Sequence, residues 1–147
     1  MKYLLIIYSL FLVSCQPELQ KPNELEKLAI DTVKSMAQNK YAWPPREVIH
    51  TKTAKEFEEY CWVPPEATAS CYTGDIVLAP GYEIDSNGEP IIHEMIHWLQ
   101  QVDENYIDYA HEDPKYWKAT GGENSMQYKA QELFKQQVLE SYTDSGI

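Results

Sequence analysis

A pentapeptide of the pattern HExxH, His93-Glu94-Met95-Ile96-His97, constrains this chain more than any other feature. In a helix, residues at i and i+4 lie on the same face, so His93 and His97 can hold one Zn²⁺ together. Glu94 lies beside such a metal, where it can take a proton from a zinc-bound water and later return it to a leaving amine. The pattern therefore predicts a helix, a zinc site and a general base for hydrolysis.

The residues around the motif favour a helix that packs on a core. Residues 87–90, Asn-Gly-Glu-Pro, predict a turn followed by a proline at the first helical position. Apolar residues then recur at helical spacing and form one stripe, made of Ile92, Met95, Ile96, Leu99 and Val102. Because the two histidines lie on a different flank, the helix can bury the stripe and still offer both imidazoles to a metal.

The N-terminus predicts a lipoprotein signal peptide at residues 1–14. Lys2 supplies a positive start, and the apolar run from Tyr3 to Val13 has the length of a signal-peptide core but is short for a membrane span. The run ends in Leu-Val-Ser-Cys at residues 12–15, which resembles the bacterial lipobox. An ordinary signal peptide with an incidental cysteine is the alternative.

In lipobox proteins the signal peptide is cut before the cysteine and the thiol is lipidated, so we expect Cys15 to carry lipid. Residues 15–22 are then the lipidated cysteine and a polar tether. Gln16, in place of aspartate, resembles lipoproteins sent on to the outer membrane of diderm bacteria. These features predict a location in the bacterial cell envelope, with attachment to the membrane through the N-terminal lipid.

The remaining cysteines, Cys61 and Cys71, form a candidate disulfide. Lipidation of Cys15 would leave these two as a pair in an oxidising compartment, where disulfides persist. Two free buried thiols are the alternative, and zinc ligation by the pair is a third reading.

Length and charge limit the number of domains and the partners. Removal of residues 1–14 from a chain of 147 leaves enough for one domain, at residues 23–147. The formal net charge is −11. Because no basic cluster is present to neutralise phosphates, we expect no nucleic-acid partner.

The pattern of elements predicts an α+β fold. Helices and strands alternate irregularly with Pro-Pro and Gly breaks. The segment Asp75–Ala79 is the most strand-like, and we expect it to form the rim of a substrate cleft, a core strand, or both. The other expected elements are a helix from the capping box of Asn23 and Glu26 to about Asn39, a strand at Glu47–Thr51, a helix from Thr53 to about Cys61, the HExxH helix, and a last helix from after Gly121-Gly122 to about Leu139.

A catalytic zinc normally has a third protein ligand. The metzincin pattern would require histidine at position 103, which is Asp103. Thermolysin-like enzymes take a glutamate from a later helix, and Glu123 is the best candidate, although it would equally suit the helix dipole. Glu132 is the main rival, and Asp108 and His111 rank lower because no regular element carries them.

Several segments outside the pentapeptide follow a pattern known from one family: Tyr72, the strand at 76–78, the run at 92–100, and Glu123, Tyr128 and Gln131 near the C-terminus. In these residues, over roughly 40–140, the chain resembles a family of small bacterial proteins with a thermolysin-type, or gluzincin, HExxH site. The resemblance implies a minimal zincin-like domain, in which a small sheet with an edge strand packs on the HExxH helix. It also implies a C-terminal ligand-bearing helix, with zinc held by His93, His97 and a helical glutamate.

Together, these features predict a zinc metallopeptidase, a hydrolase of the endopeptidase type, that acts on an extracytoplasmic protein or peptide. Tyr106, Tyr109 and His111 are candidates to stabilise the tetrahedral oxyanion. Two alternatives belong to other classes: a catalytically inactive zincin-fold binding lipoprotein, and a structural lipoprotein whose histidines are incidental.

Overall fold

The computed structural model describes residues 22–144, so the predicted signal peptide and Cys15 lie outside the described residues. The α+β prediction is confirmed. No helix within residues 22–144 has the length and apolarity needed to cross a membrane. The elements are α1 Glu24–Met36, β1 Val48–His50, α2 Ala54–Cys61, β2 Ser70–Tyr72, β3 Ile76–Leu78, α3 Ile91–Glu104, α4 Lys118–Gly121, a 3-10 turn at Gly122–Asn124, and α5 Met126–Asp144.

The first two helices begin at the caps that the sequence predicts. Asn23 and Glu26 form a reciprocal capping box, with both hydrogen bonds at 2.9 Å. At α2 the Thr53 hydroxyl accepts from the Glu56 N–H, whereas the Glu56 carboxylate accepts from the N–H of Lys52. Each cap satisfies helix N–H groups that would otherwise lack a partner.

The sheet has the order β1-β3-β2, with β1 parallel and β2 antiparallel to β3. The prediction that Asp75–Ala79 contains a core strand is confirmed, whereas an exposed rim is excluded because β3 is the central strand. The residues of β3 are all fully buried: Ile76 and Leu78 join the main core, while Val77 packs with Phe57 under α2. An apolar run without alternation is typical of a strand covered on both faces. The edge strand that packs on α3 is β2.

The core is formed by α1, α3 and α5 together with the sheet. Four members of the predicted stripe on α3 are fully buried, namely Ile92, Met95, Ile96 and Leu99. Each such side chain contributes about 1.5–3 kcal/mol to folding by leaving water. This packing fixes the helix that carries the HExxH motif.

The C-terminal helix begins later than predicted. Gly122 has φ +56°, so the chain leaves the helical conformation there, and α5 starts at Met126. Gly121 packs directly on Pro114: a Cβ at this position would lie 1.8 Å from the Pro114 carbonyl oxygen. Gly121 therefore ends α4, and Gly122 begins the 3-10 turn that precedes α5.

Cys61 and Cys71 are at disulfide distance, as predicted, with their Cα atoms 5.9 Å apart. The bridge joins the last residue of α2 to the edge strand β2. It closes a short loop, which stabilises the fold by restricting the unfolded chain.

Candidate metal centre

Three histidines converge at one side of α3. The ligand nitrogens of His93, His97 and His111 all lie within 4.8 Å of one another. The Nε2 atoms of His97 and His111 are 3.1 Å apart. Two nitrogens bound at 2.0–2.1 Å to a tetrahedral metal would be about 3.3–3.4 Å apart. These three residues could therefore hold a metal ion.

The first two histidines are placed by α3 itself. His93 and His97 are one helical turn apart, and their ring centroids are separated by 5.3 Å. The indole of Trp117 packs against the whole group, at 4.9 Å from His93, 4.7 Å from His97 and 4.2 Å from His111. Trp117 is 1% exposed. It therefore forms an apolar floor that limits how far the imidazoles can move.

His111 comes from residues 105–117, which we call the histidine loop. Its backbone adopts the left-handed conformation, with φ +58°. The Asp108 carboxylate holds this turn by accepting backbone N–H bonds from Ala110 at 3.1 Å, Glu112 at 2.7 Å and Asp113 at 2.8 Å. These bonds lower the pKa of Asp108. The carboxylate thus shapes the loop that carries the third histidine.

The far end of the histidine loop is fixed to the rest of the fold. The Asp113 carbonyl accepts from the N–H groups of Tyr116 and Trp117, and the Asp113 carboxylate accepts from the Tyr106 hydroxyl. The carbonyls of Lys115 and Tyr116 accept from the first N–H groups of α5. The loop is therefore irregular but extensively hydrogen-bonded.

Gln100 connects α3 to the histidine loop. It is fully buried, and its Oε1 accepts from the Asp108 N–H at 3.2 Å. Within residues 22–144, three buried side-chain polar atoms have no hydrogen-bond partner: His97 Nδ1, Gln100 Nε2 and Trp117 Nε1. All three belong to the metal group or to residues that contact it. A bound ion or water is one explanation for polar atoms left unpartnered in this way.

The imidazoles favour their neutral forms. Burial, together with the neighbouring histidines His93 and His111, lowers the pKa of His97 to about 3, while an interaction with the Gln100 side chain opposes the shift. Burial and the charge of His111 lower the pKa of His93 to about 4. The pKa of His111 is also lowered, chiefly by burial. Neutral imidazole is the form that binds metals.

Glu94 lies on the side of α3 that faces the sheet. It is 2% exposed, and its Oε1 accepts a hydrogen bond from the Ser70 hydroxyl on β2. Burial raises the pKa of Glu94 to about 7, against the lowering effect of the Ser70 hydrogen bond. The charge of Glu89 raises it further. A carboxyl in this environment can exchange a proton near neutral pH.

The start of α3 is held by α5. Glu89 accepts from Gln131 Nε2 at 2.8 Å and from Gln127 Nε2 at 3.1 Å, while its second oxygen accepts from the backbone N–H of His93 at 3.2 Å. Gln131 is one of the residues that carry the family resemblance. Its contact is with the carboxylate that caps the HExxH helix, so it supports the site indirectly.

The third member of the group differs from the predicted one. Glu123 is exposed on the 3-10 turn that precedes α5, and Glu132 is exposed and pairs with Lys135 at 2.9 Å. Neither belongs to the histidine group. The reason is the break at Gly122, which removes Glu123 from the helix that packs on α3. His111, ranked lower from sequence because no regular element carries it, is the residue that the structure brings to His93 and His97.

The three oxyanion candidates have different surroundings. Tyr106 donates its hydroxyl proton to Asp113, and His111 belongs to the metal group. Tyr109 is 72% exposed, with its ring centroid 5.6 Å from that of His97. Tyr109 is therefore the candidate that lies beside the group with its phenol accessible.

Sequence reasoning missed the residues that support the site. Ser70 and Gln100 are polar residues in elements whose neighbours are buried, and Trp117 belongs to an irregular segment. Of the three, only Gln100 could have been identified from the sequence, because it is a polar residue on the apolar side of the predicted α3. The contacts of Ser70 and Trp117 join segments distant in sequence, so spacing could not reveal them.

Comparison of the chain with protein-family models, with curated proteins and with solved structures finds no match.

Proposed function

We propose that this protein is a zinc-dependent endopeptidase, a hydrolase of peptide bonds in an extracytoplasmic protein or peptide. The observation that carries the proposal is that His93, His97 and His111 lie close together, and that the helix carrying the first two also supplies Glu94. Three protein ligands with one open position are typical of catalytic zinc sites, whereas structural sites have four.

The donor set suits zinc. Three neutral imidazoles bind Zn²⁺ well, and the lowered pKa values of His93 and His97 keep both rings neutral at physiological pH. A bound Zn²⁺ would supply the Lewis acidity that activates water and polarises the scissile carbonyl. The chain itself must then position the base, manage the proton and stabilise the developing charge.

Glu94 is the proposed general base and acid. Its raised pKa, about 7, suits a group that must both accept a proton from the attacking water and deliver one to the departing amine. The Ser70 hydroxyl holds one of its oxygens, which fixes the orientation of the carboxylate. Because Ser70 lies on the edge strand β2, base and edge strand adjoin each other.

Tyr109 is the proposed oxyanion stabiliser. Its phenol can donate a hydrogen bond to charge that develops on the substrate carbonyl oxygen. The choice follows from exposure beside His97, since Tyr106 is already engaged with Asp113. Removal of one such donor typically costs 10²–10³ in kcat.

We further propose that the protein acts at the bacterial cell envelope, anchored by lipid on Cys15. The pair Cys61 and Cys71 at disulfide distance supports an oxidising compartment. Substitution of Cys15 by serine should release the protein from membranes in cell fractionation, and an unchanged membrane fraction would contradict the anchor.

Elemental analysis of the purified protein tests the metal site. We expect about one zinc per chain in the parent and in Glu123→Ala, and loss of most of it in His111→Ala. The matched glutamate variant separates the observed histidine group from the ligand set that the resemblance implies. Absence of zinc from a folded parent, or its loss only in Glu123→Ala, would overturn the proposal.

Glu94→Gln tests the enzymatic role. The variant should keep its zinc and lose hydrolysis of an unstructured protein substrate. A second candidate function, an inactive zincin-fold binding protein, is favoured by one observation: Glu94 is 2% exposed and already hydrogen-bonded. That candidate predicts a zinc-loaded parent without hydrolysis and no difference between parent and variant.

A further inference from the structure

Gln100 is a polar residue in the centre of the core. It lies one helical turn after His97 on α3 and is fully buried. A glutamine at such a position costs free energy unless its amide is hydrogen-bonded, and only its oxygen has a partner, the N–H of Asp108 at 3.2 Å. The packing of the helix therefore does not by itself account for this residue.

Beside it, the distal nitrogen of His97 also lacks a hydrogen-bond partner. Nε2 of His97 faces Nε2 of His111, so Nε2 is the nitrogen directed at the shared site. Nδ1 is buried and has no partner. When Nε2 of an imidazole binds a metal, Nδ1 carries the proton and requires an acceptor.

The side chains of Gln100 and His97 are close enough to interact. Residues at i and i+3 of a helix are neighbours on its surface. A side-chain carbonyl has two lone pairs, so Oε1 can accept from Asp108 and from His97 together.

We propose that Gln100 is the positioning residue of the metal centre. Its Oε1 accepts a hydrogen bond from Nδ1–H of metal-bound His97 and, at the same time, the hydrogen bond from the N–H of Asp108. One oxygen atom thereby links the helix that carries two histidines to the loop that carries the third. This inference rests on metal binding by the three histidines, and not on peptidase activity. It explains why a side-chain hydrogen-bond acceptor is buried at position 100.

Zinc affinity of three variants tests the proposal, measured by competition with a chelator. Gln100→Met fills a similar volume but cannot accept a hydrogen bond, and we expect it to bind zinc 10–100-fold more weakly. Gln100→Glu keeps both acceptor functions and removes the orphaned amide nitrogen, so it should bind zinc at least as tightly as the parent. Gln101→Met, the matched change at the exposed neighbour, should leave the affinity unchanged.

A role in core packing alone predicts the opposite order. The apolar Gln100→Met would then be tolerated, and the buried charge of Gln100→Glu would reduce both stability and zinc affinity. Equal affinity of parent and Gln100→Met would overturn the inference while leaving the metal site in place. A parent that binds no zinc would overturn both, so the two failures are distinguishable.

Heteronuclear NMR of the imidazole nitrogens in the zinc-loaded parent gives a second test that needs no variant. We expect His97 to bind through Nε2 and to show a slowly exchanging Nδ1 proton. Metal binding through Nδ1, or rapid exchange of that proton with water, would overturn the proposed hydrogen bond. This measurement decides the matter even if a variant at position 100 fails to fold.

Discussion

The metal centre joins two regions that reach the same place by different physical means. His93 and His97 are held by a regular helix whose apolar stripe is buried in the core. His111 is held by the histidine loop, which has no regular structure and depends on the hydrogen bonds of Asp108 and Gln100. The helix is specified by local spacing, whereas the loop is specified by individual contacts. In this group, helical spacing places His93 and His97, whereas tertiary contacts place His111.

The largest expected effect comes from adding a side chain at Gly121, which contacts the histidine loop. In Gly121→Ala the new Cβ would lie 1.8 Å from the Pro114 carbonyl oxygen, which belongs to the histidine loop and cannot rotate away. We expect a loss of about 3 kcal/mol in the free energy of unfolding, together with loss of zinc binding. Urea denaturation and a zinc titration would measure these effects.

The control for this change is Gly81→Ala, where a Cβ meets nothing within 4 Å but φ is +81°. That variant should cost only about 1 kcal/mol, from backbone strain, and keep its zinc. Equal stability of the two variants would show that Gly121 does not hold the loop.

Among changes on α3, we expect the largest effect on the free energy of unfolding from a substitution of Glu94. The pKa of this carboxyl in the folded protein is raised from 4.5 to about 7, so folding favours its neutral form. The resulting stability is present at low pH and is lost as the pH rises through about 7. In metal-free protein at pH 8, Glu94→Gln should therefore raise the free energy of unfolding by about 2–3 kcal/mol, and at pH 5 by less than about 1 kcal/mol.

Urea denaturation in chelator at the two pH values measures this difference. Glu132→Gln, on the exposed face of α5, is the matched control and should be neutral at both. A Glu94→Gln variant that is less stable than the parent at pH 8 would contradict the burial of an ionisable carboxyl here.

A substitution of Asp108 should change zinc affinity without changing the helical content of the protein. Asp108→Ala removes the carboxylate that accepts three N–H groups around His111. We expect zinc affinity to fall 10–100-fold, while the helical signal in circular dichroism stays unchanged because α3 and its core contacts are untouched. Unaltered affinity would show that His111 keeps its position without Asp108.

The smallest expected change is in the pH dependence of zinc binding. The pKa values of His93 and His97 are lowered to about 4 and about 3, and that of His111 is also lowered, so protons compete weakly with metal. Between pH 7.5 and 5.5 the affinity should fall less than about tenfold. Three histidines with ordinary pKa values near 6.5 would give a fall of about a thousandfold. Isothermal titration calorimetry at the two pH values distinguishes the cases.

Periodic features of the sequence predicted most of the regular structure. The capping box at Asn23, the strand at 48–50 and the HExxH helix were predicted close to their observed positions. For Ile76–Leu78 the core strand is confirmed and the cleft rim is not, because strand order depends on which segments pair and not on how apolar they are. The start of α5 differs from the prediction because Gly122 begins a 3-10 turn and does not directly precede the helix.

The sequence by itself identified two histidines of the group that could hold a metal ion, the adjacent glutamate and the cysteine pair, because their spacing or number permits few arrangements. Only the tertiary structure decided that His111 completes the group, that Ser70 holds Glu94 and that Gln100 joins helix to loop. Each of these contacts brings together side chains from different elements, and their geometry depends on packing and on single hydrogen bonds. Local spacing carries no record of such contacts, so they become visible only when the chain is folded.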